Sequence, residues 1–176
     1  EISLGLVGSE MCIRDSINNM YGAVEFSNEC HKYDIKPIFG MQGNVNVEGE
    51  IYPFLLLAKD QVGYHDLMKI CSDINLSDQK AIDLEKLRLY HEHLFILSGC
   101  KEGIVERCVL KELESEALRY MVLFKEMFKD NYYICLQDHG IQMQKHLNER
   151  LKALAKLQGI KAVSYTHLRA HETEAD

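Results

Sequence analysis

Asn19–Gln42, NMYGAVEFSNECHKYDIKPIFGMQ, carries a helix start, an amphipathic helix, a Lys-Pro break and a buried strand. Asn19 is a candidate helix cap, because its side chain can accept a backbone N–H that the first turn leaves unpaired. Val24, Phe26, Cys30 and Tyr33 make one side of the segment apolar, and Asp34 ends the pattern. Pro37 cannot continue a helix and drives Lys36 into an extended conformation. Ile38-Phe39 and then Gly40 read as a short strand buried on both faces. Helix, short link and buried strand is the repeating unit of α/β architectures.

The same alternation continues along the chain. Met41–Glu50 reads as a polar link in which Val45 and Val47 allow a short strand. Tyr52–Ala58 is the clearest strand, with Pro53 near its start, and Asp60–Gly63 makes a turn. Tyr64–Ile74 is expected to be a helix facing inward through Leu67, Met68, Cys71 and Ile74, followed by a polar loop over Asn75–Ala81. Ile82–Tyr90 reads as a short helix, Leu94–Leu97 as a buried strand, and Ile104–Leu110 as another short helix. Ser115 is expected to cap a helix over Glu116–Phe128, and Tyr132–Leu136 is a further strand. Gln142–Gln158 is a long helix with Leu147, Leu151, Leu154 and Leu157 inward, and Gly159 as its C-cap. Lys161–Val163 begins one more strand. Strands alternating with helices imply right-handed parallel crossovers.

Several stretches together resemble a known family. MYGAVEF at Met20–Phe26 and IKPIFGM at Ile35–Met41 are similar to motifs of the polymerase-and-histidinol-phosphatase (PHP) domain at the N-terminus of bacterial DNA polymerase III alpha subunits. Tyr52–Gly63 with Tyr64–Ile70, Leu97–Cys100 (LSGC) and Leu136–Ile141 (LQDHGI) agree in the same order, so the resemblance covers roughly Ile17–Val163. It implies an α/β fold: a partial, distorted, TIM-like seven-stranded β/α barrel lacking its first and last strands.

Composition sets the frame. The 176 residues are 47% hydrophobic and 27% charged, and a chain near this length buries roughly 70% of its unfolded surface in a core. No apolar run approaches the ~20 residues that span a bilayer, so no membrane partner is expected. Six cysteines without CxxC pairs read as free thiols in a reducing cytoplasm. The net charge of −7 argues against an autonomous nucleic-acid binder, so DNA is expected only through a parent enzyme.

The two ends stand apart. Residues 1–16 (EISLGLVGSEMCIRDS) and 164–176 (SYTHLRAHETEAD) resemble peptides translated from sequencing adapters and are expected to be non-native tails around a partial PHP domain at 17–163. Each carries one basic and three acidic residues, so without them 18 basic face 21 acidic residues and the charge falls to −3. His167 and His171, spaced as in a helical zinc pair, belong to the second tail and are rejected as ligands.

In parallel β/α folds ligands gather at the carboxyl ends of strands. Those positions here are Gln42, Lys59, Cys100 and His139. The resemblance implies metal ligands at several of them, and the match is incomplete. The family's Asp-His pair falls on Ser16 and Ile17, and its ligand Glu falls on Gln42, whose neutral amide lacks the charge that helps hold a divalent ion. An H-x-H strand and a final Asp-x-His pair have no counterpart. Cys100 and His139 alone match ligand positions, although Cys100 reads more readily as a buried small hydrophobe and His139 equally as a turn cap. His91-x-His93 resembles the H-x-H spelling but reads as a solvated helix end, and Lys59 and Arg107 as surface charges.

A site for two metals needs several anionic ligands, so Cys100 and His139 are read as relics beside the degenerate positions Ile17 and Gln42. The resemblance therefore implies a non-catalytic structural module of a replicative polymerase, with no cofactor of its own. Its expected partners are the polymerase body of the same parent chain and a proofreading exonuclease. The alternative is a metal-dependent phosphoesterase or 3′–5′ exonuclease using zinc or manganese, with Cys100 and His139 among the ligands.

Overall fold

A computed structural model describes residues 5–7, 11–17, 22–99, 102–137 and 142–164. Strands β1 (Gly5–Val7), β2 (Met11–Ile17), β3 (Lys36–Val47), β4 (Glu50–Ala58), β5 (Ile82–Asp83), β6 (Leu94–Ser98), β7 (Tyr132–Leu136) and β8 (Lys161–Ser164) form one sheet. Its order is β1-β2-β3-β4-β6-β7-β8, and β5 pairs beside β3. Helices α1 (Ala23–Lys32), α2 (Gln61–Leu76), α3 (Leu84–Leu87), α4 (Ile104–Leu110), α5 (Glu114–Phe128) and α6 (Gln142–Gln158) fill the connections.

The sheet is mixed, which corrects the all-parallel expectation. β2 runs parallel to β3, and β6, β7 and β8 run parallel in turn, but β4 is antiparallel to both β3 and β6. The cause lies in Met41–Glu50, which is no loose link: β3 continues for 12 residues to Val47 and turns straight back into β4. Glu48 (φ 54°) and Gly49 (φ 89°) form the two-residue loop, with Val47 opposite Glu50. Positive φ at both positions is the geometry whose twist matches two paired strands. The Gly49 N–H donates to Asn46 Oδ1 (3.0 Å). Arg119 on α5 forks onto both Glu48 carboxylate oxygens (2.9 and 3.0 Å), and the Tyr120 hydroxyl donates to one of them (3.0 Å), so the hairpin tip is tied to α5.

Helices cover one face of the sheet. Met41, Val45 and Val47 of β3, Phe54 and Leu56 of β4, Ile96 of β6 and Ile134 of β7 meet the inward stripes of α2, α4, α5 and α6 in one core. On α5 the stripe is Ala117, Tyr120, Met121, Phe124 and Phe128, recurring every three or four residues, and Phe124 stacks on Tyr132 at 5.5 Å. The α5 helix begins at Glu114, so Ser115 lies inside it and does not cap it. Leu157 is 75% exposed: Leu147, Leu151, Leu154 and Ala155 already form the buried stripe of α6, and the 3.6-residue period carries Leu157 past its edge. Gly159 does end α6, with the Ile160 N–H returning to the Ala155 carbonyl (2.8 Å).

The opening stretch is only partly as expected. Phe26 and Cys30 of α1 pack on Ile35 and Phe39, but Val24 and Tyr33 are exposed. Gly22 takes the cap position of α1, and Asn19 lies outside the described residues. Ile82 is paired to Val45 as a strand, which leaves only Leu84–Leu87 helical before a 3₁₀ turn. Asp60 caps α2, accepting the Gly63 N–H (2.9 Å), so that helix starts at Gln61, before Tyr64.

Leu56 is fully buried at the centre of the core, and Leu157 is not. Leu56→Ala is expected to destabilise the chain by about 3 kcal/mol through lost contacts and the cavity left behind. Leu157→Ala should stay within about 0.5 kcal/mol of the parent, as exposed substitutions do. Urea unfolding of the two variants side by side checks this.

Candidate functional site

Carboxyl ends of parallel strands converge on one rim of the sheet. Ile17, the last residue of β2, is the Cα partner of Gln42. Gln42 is in turn opposite Leu55, and one step along, Gly43 is opposite Phe54 and Phe54 opposite Ser98, the last residue of β6. The β7 strand ends at Leu136 beside Ser164 of β8. Ile17 and Gln42 are thus neighbours across the β2–β3 ladder. Gln42 stands mid-strand, because β3 runs on past the end of β2. Cys100 and His139 lie outside the described residues, but Ser98-Gly99 and Leu136-Gln137 before them end the neighbouring parallel strands β6 and β7.

Lys59 does not join them. It follows β4, which runs the other way, so Lys59 sits at the opposite rim, near the start of β6. Its ammonium donates to the Glu92 carbonyl (2.8 Å) and lies 5.1 Å from the Phe95 ring centre. His91 and His93 share that far rim. His93 Nδ1 pairs with Asp60 at 2.8 Å, and His91 Nδ1 meets the Arg88 carbonyl at 3.1 Å. Arg107 is a half-exposed charge between Glu102 and the Tyr52 ring. His167 and His171 lie outside the described residues.

The face of the sheet away from the helices is apolar at this rim. Leu55, Leu97 and Cys135 are buried there side by side, with Leu57, Phe95, Tyr133 and Val163 half-buried around them. Strand alternation puts Gln42 on that face, since Met41 and Val45 point into the helical core. Among the described residues no group of three or more His, Cys, Asp or Glu side chains comes together. The described part of the rim therefore does not supply the anionic donors that a two-metal centre requires.

The loop after β6 is built on close approach. A Cβ on Gly99 would lie 2.0 Å from the Pro53 carbonyl oxygen, and one on Gly103 would lie 2.2 Å from Glu106 Oε2. Glu106, on α4, is 1% exposed. Ser98 Oγ donates a short hydrogen bond to its Oε1 and accepts the Cys135 N–H (2.9 Å). Desolvation pushes the Glu106 carboxyl up to about 7, the Ser98 hydrogen bond opposing that rise only in part. Glu106 is not among the candidate site residues that the sequence pattern singles out. Its one signal was a carboxylate inside the otherwise apolar stripe Ile104, Val105 and Val109.

Comparison with known proteins agrees with this architecture. The PHP domain family matches residues 6–139, and the chain belongs to that family. It is similar to the DNA polymerase III subunit alpha of Borreliella burgdorferi (31% identical over 156 residues, 81% of this chain and 14% of that protein). The same named subunit of Deinococcus radiodurans is 32% identical over 163 residues, covering 83% of this chain and 12% of the relative. That of Treponema pallidum is 30% identical over 186 residues, covering 96% and 16%. The chain thus spans about one seventh of the curated relatives it matches. The family match starts at residue 6, inside the segment that the sequence reading set aside.

Two glycines separate close approach from backbone strain. Gly49 has nothing within 4 Å of a built Cβ, whereas Gly99 faces the Pro53 carbonyl. Gly49→Ala is expected to cost about 1 kcal/mol, the strain of a positive φ, and Gly99→Ala at least twice that, because backbone must move. Denaturant midpoints of the two variants decide the order. The Gly63 and His93 hydrogen bonds hold the Asp60 carboxyl below the usual range. A depressed folded pKa contributes stability above the unfolded value that is lost as pH falls through the folded one. Asp60→Asn should therefore lower stability at neutral pH and flatten its decline below about pH 4, as read from urea midpoints across that range.

Proposed function

We propose that this chain is part of the PHP domain of a replicative DNA polymerase alpha subunit and serves as a non-catalytic structural and interaction module. The observation that carries the reading is the composition of the strand rim. Where a metal-dependent hydrolase needs carboxylates and imidazoles, Gln42 contributes a half-buried amide, and Leu55, Leu97 and Cys135 pack against one another. A neutral amide and aliphatic chains cannot offset the charge of two divalent ions.

On this reading the sheet is a portion of a distorted seven-stranded β/α barrel. The segments 1–16 and 164–176 are foreign to it. β2 can still pair there, because a parallel ladder is formed by backbone N–H and C=O groups whatever the side chains. The polymerase body of the same parent chain is the partner that such a domain would pack against, with a proofreading exonuclease as a further one. DNA would be reached through the parent enzyme, and the setting is the cytoplasm. Among the described residues no helix is long and apolar enough to cross a membrane.

Metal analysis and hydrolysis of a chromogenic phosphodiester, on this chain and on the full-length parent, test the reading. We expect neither stoichiometric zinc or manganese nor turnover. Bound metal together with turnover that His139→Ala abolishes would replace it with a metal-dependent phosphoesterase or 3′–5′ exonuclease.

A further inference from the structure

Three elements meet at a single buried carboxyl beneath the strand rim. Backbone pairing between β6 and β7 covers Ile96 with Tyr132 and Leu97 with Tyr133. Beyond it the two strands are joined through a side chain: the Cys135 N–H donates to Ser98 Oγ at 2.9 Å, and Ser98 Oγ in turn bonds Glu106 Oε1 on α4. Glu106 Oε2 has no hydrogen-bond partner among the described residues, and it lies where a Cβ on Gly103 would have to go. A void of about 10 Å³ beside it is lined by Cys135, Gln137, Gln144, Leu147 and Asn148. That is room for about one water molecule and too little for a hydrated ion.

No cation faces this carboxyl among the described residues. The titratable groups that interact with it are Tyr132 from β7 and Cys108 from its own helix, and α6 presents the amides of Gln144 and Asn148. All of these are neutral at physiological pH. The Tyr132 hydroxyl, also buried and without a described partner, is held far above its usual range by burial and by Glu106. A carboxylate taken out of water without a counter-charge loses several kcal/mol of solvation, and the proton is the one cation that needs no room.

We propose that Glu106 is a proton-operated clasp on the β6–β7 rim: protonated, it stays buried as the acceptor for Ser98, which in turn holds the Cys135 amide, and ionised, it becomes a buried charge without a counter-charge, whose lost solvation outweighs its stronger hydrogen bond to Ser98 and favours opening of the joint. The carboxyl gains its proton in the folded chain at a higher pH than in the unfolded one, so the clasp stabilises the fold at low pH. That stabilisation is lost as pH rises toward and through neutrality.

Urea unfolding of the full 176-residue chain and of Glu106→Gln, at about pH 5 and about pH 8, reads the effect directly. The amide keeps the shape and the Ser98 contact but cannot ionise. We expect the wild type to lose roughly a hundredfold more in its folding equilibrium constant than Glu106→Gln across that interval, the factor set by a shift from 4.5 to about 7. Equal pH profiles would overturn the proposal. Restoration of the wild-type midpoint at about pH 8 by added potassium or magnesium would also overturn it, in favour of a metal cation. If Glu106→Gln does not fold, infrared spectroscopy of the wild type and of Ser98→Ala decides instead. A protonated-carboxyl band persisting near pH 6, lost near pH 8 and displaced in Ser98→Ala supports the clasp. Absence of that band, or a band indifferent to Ser98, refutes it.

Discussion

Backbone pairing along both edges of one long strand is the constraint on which the rest of the molecule depends. β3 runs for 12 residues, meeting β2 along its first part, β4 along its second, and β5 near its end. A strand of that length cannot leave its N–H and C=O groups unpaired in a buried layer, so its neighbours are forced into register with it. The tight turn at Glu48-Gly49 then sets the direction of β4, and β4 sets that of β6. With β4 reversed, the carboxyl ends of β2, β6 and β7 fall on one rim, and the end of β4, with Lys59, falls on the other.

The two faces of the sheet solve different problems. The helical face buries a continuous core in which Leu56, Ile96, Met121, Phe128 and Ile134 are almost wholly enclosed, and it accounts for most of the hydrophobic stabilisation. The opposite face carries a smaller apolar group around Leu55, Leu97 and Cys135. Gln42, opposite Leu55, shares that face at the rim. The buried carboxyl nearby, Glu106, lies in α4 on the helical side of β6, where it bonds Ser98. It serves the joint between elements and does not face the rim.

Local pattern carried much of this. Periodicity located Tyr52–Ala58, Tyr132–Leu136 and the helix from Gln142, and the motifs around MYG and LSGC by themselves point to the PHP family. It misplaced residues wherever a distant partner decided. Val45 and Val47 alternate with asparagines, a weak strand signal, and became a full strand because β4 and β5 lie beside them. Val24 and Leu157 belong to apolar patterns but face solvent, since the buried side of α1 is Ala23, Phe26 and Cys30, and α6 had already filled its stripe. Glu106 carried only the faint signal of its apolar neighbours, because a glutamate at the start of a helix reads as a surface residue until Ser98 and Tyr132 close over it.

Composition and order of residues determined, by themselves, that this is an α/β chain of the PHP family with a glutamine at position 42. Those are properties of single residues and short spacings. Strand directions, the separation of Lys59 from Gln42, the meeting of Ile17 with Gln42 and the enclosure of Glu106 were decided only by tertiary structure. Each depends on pairing and desolvation between segments far apart in the chain, and no local period encodes which partner a strand edge will find.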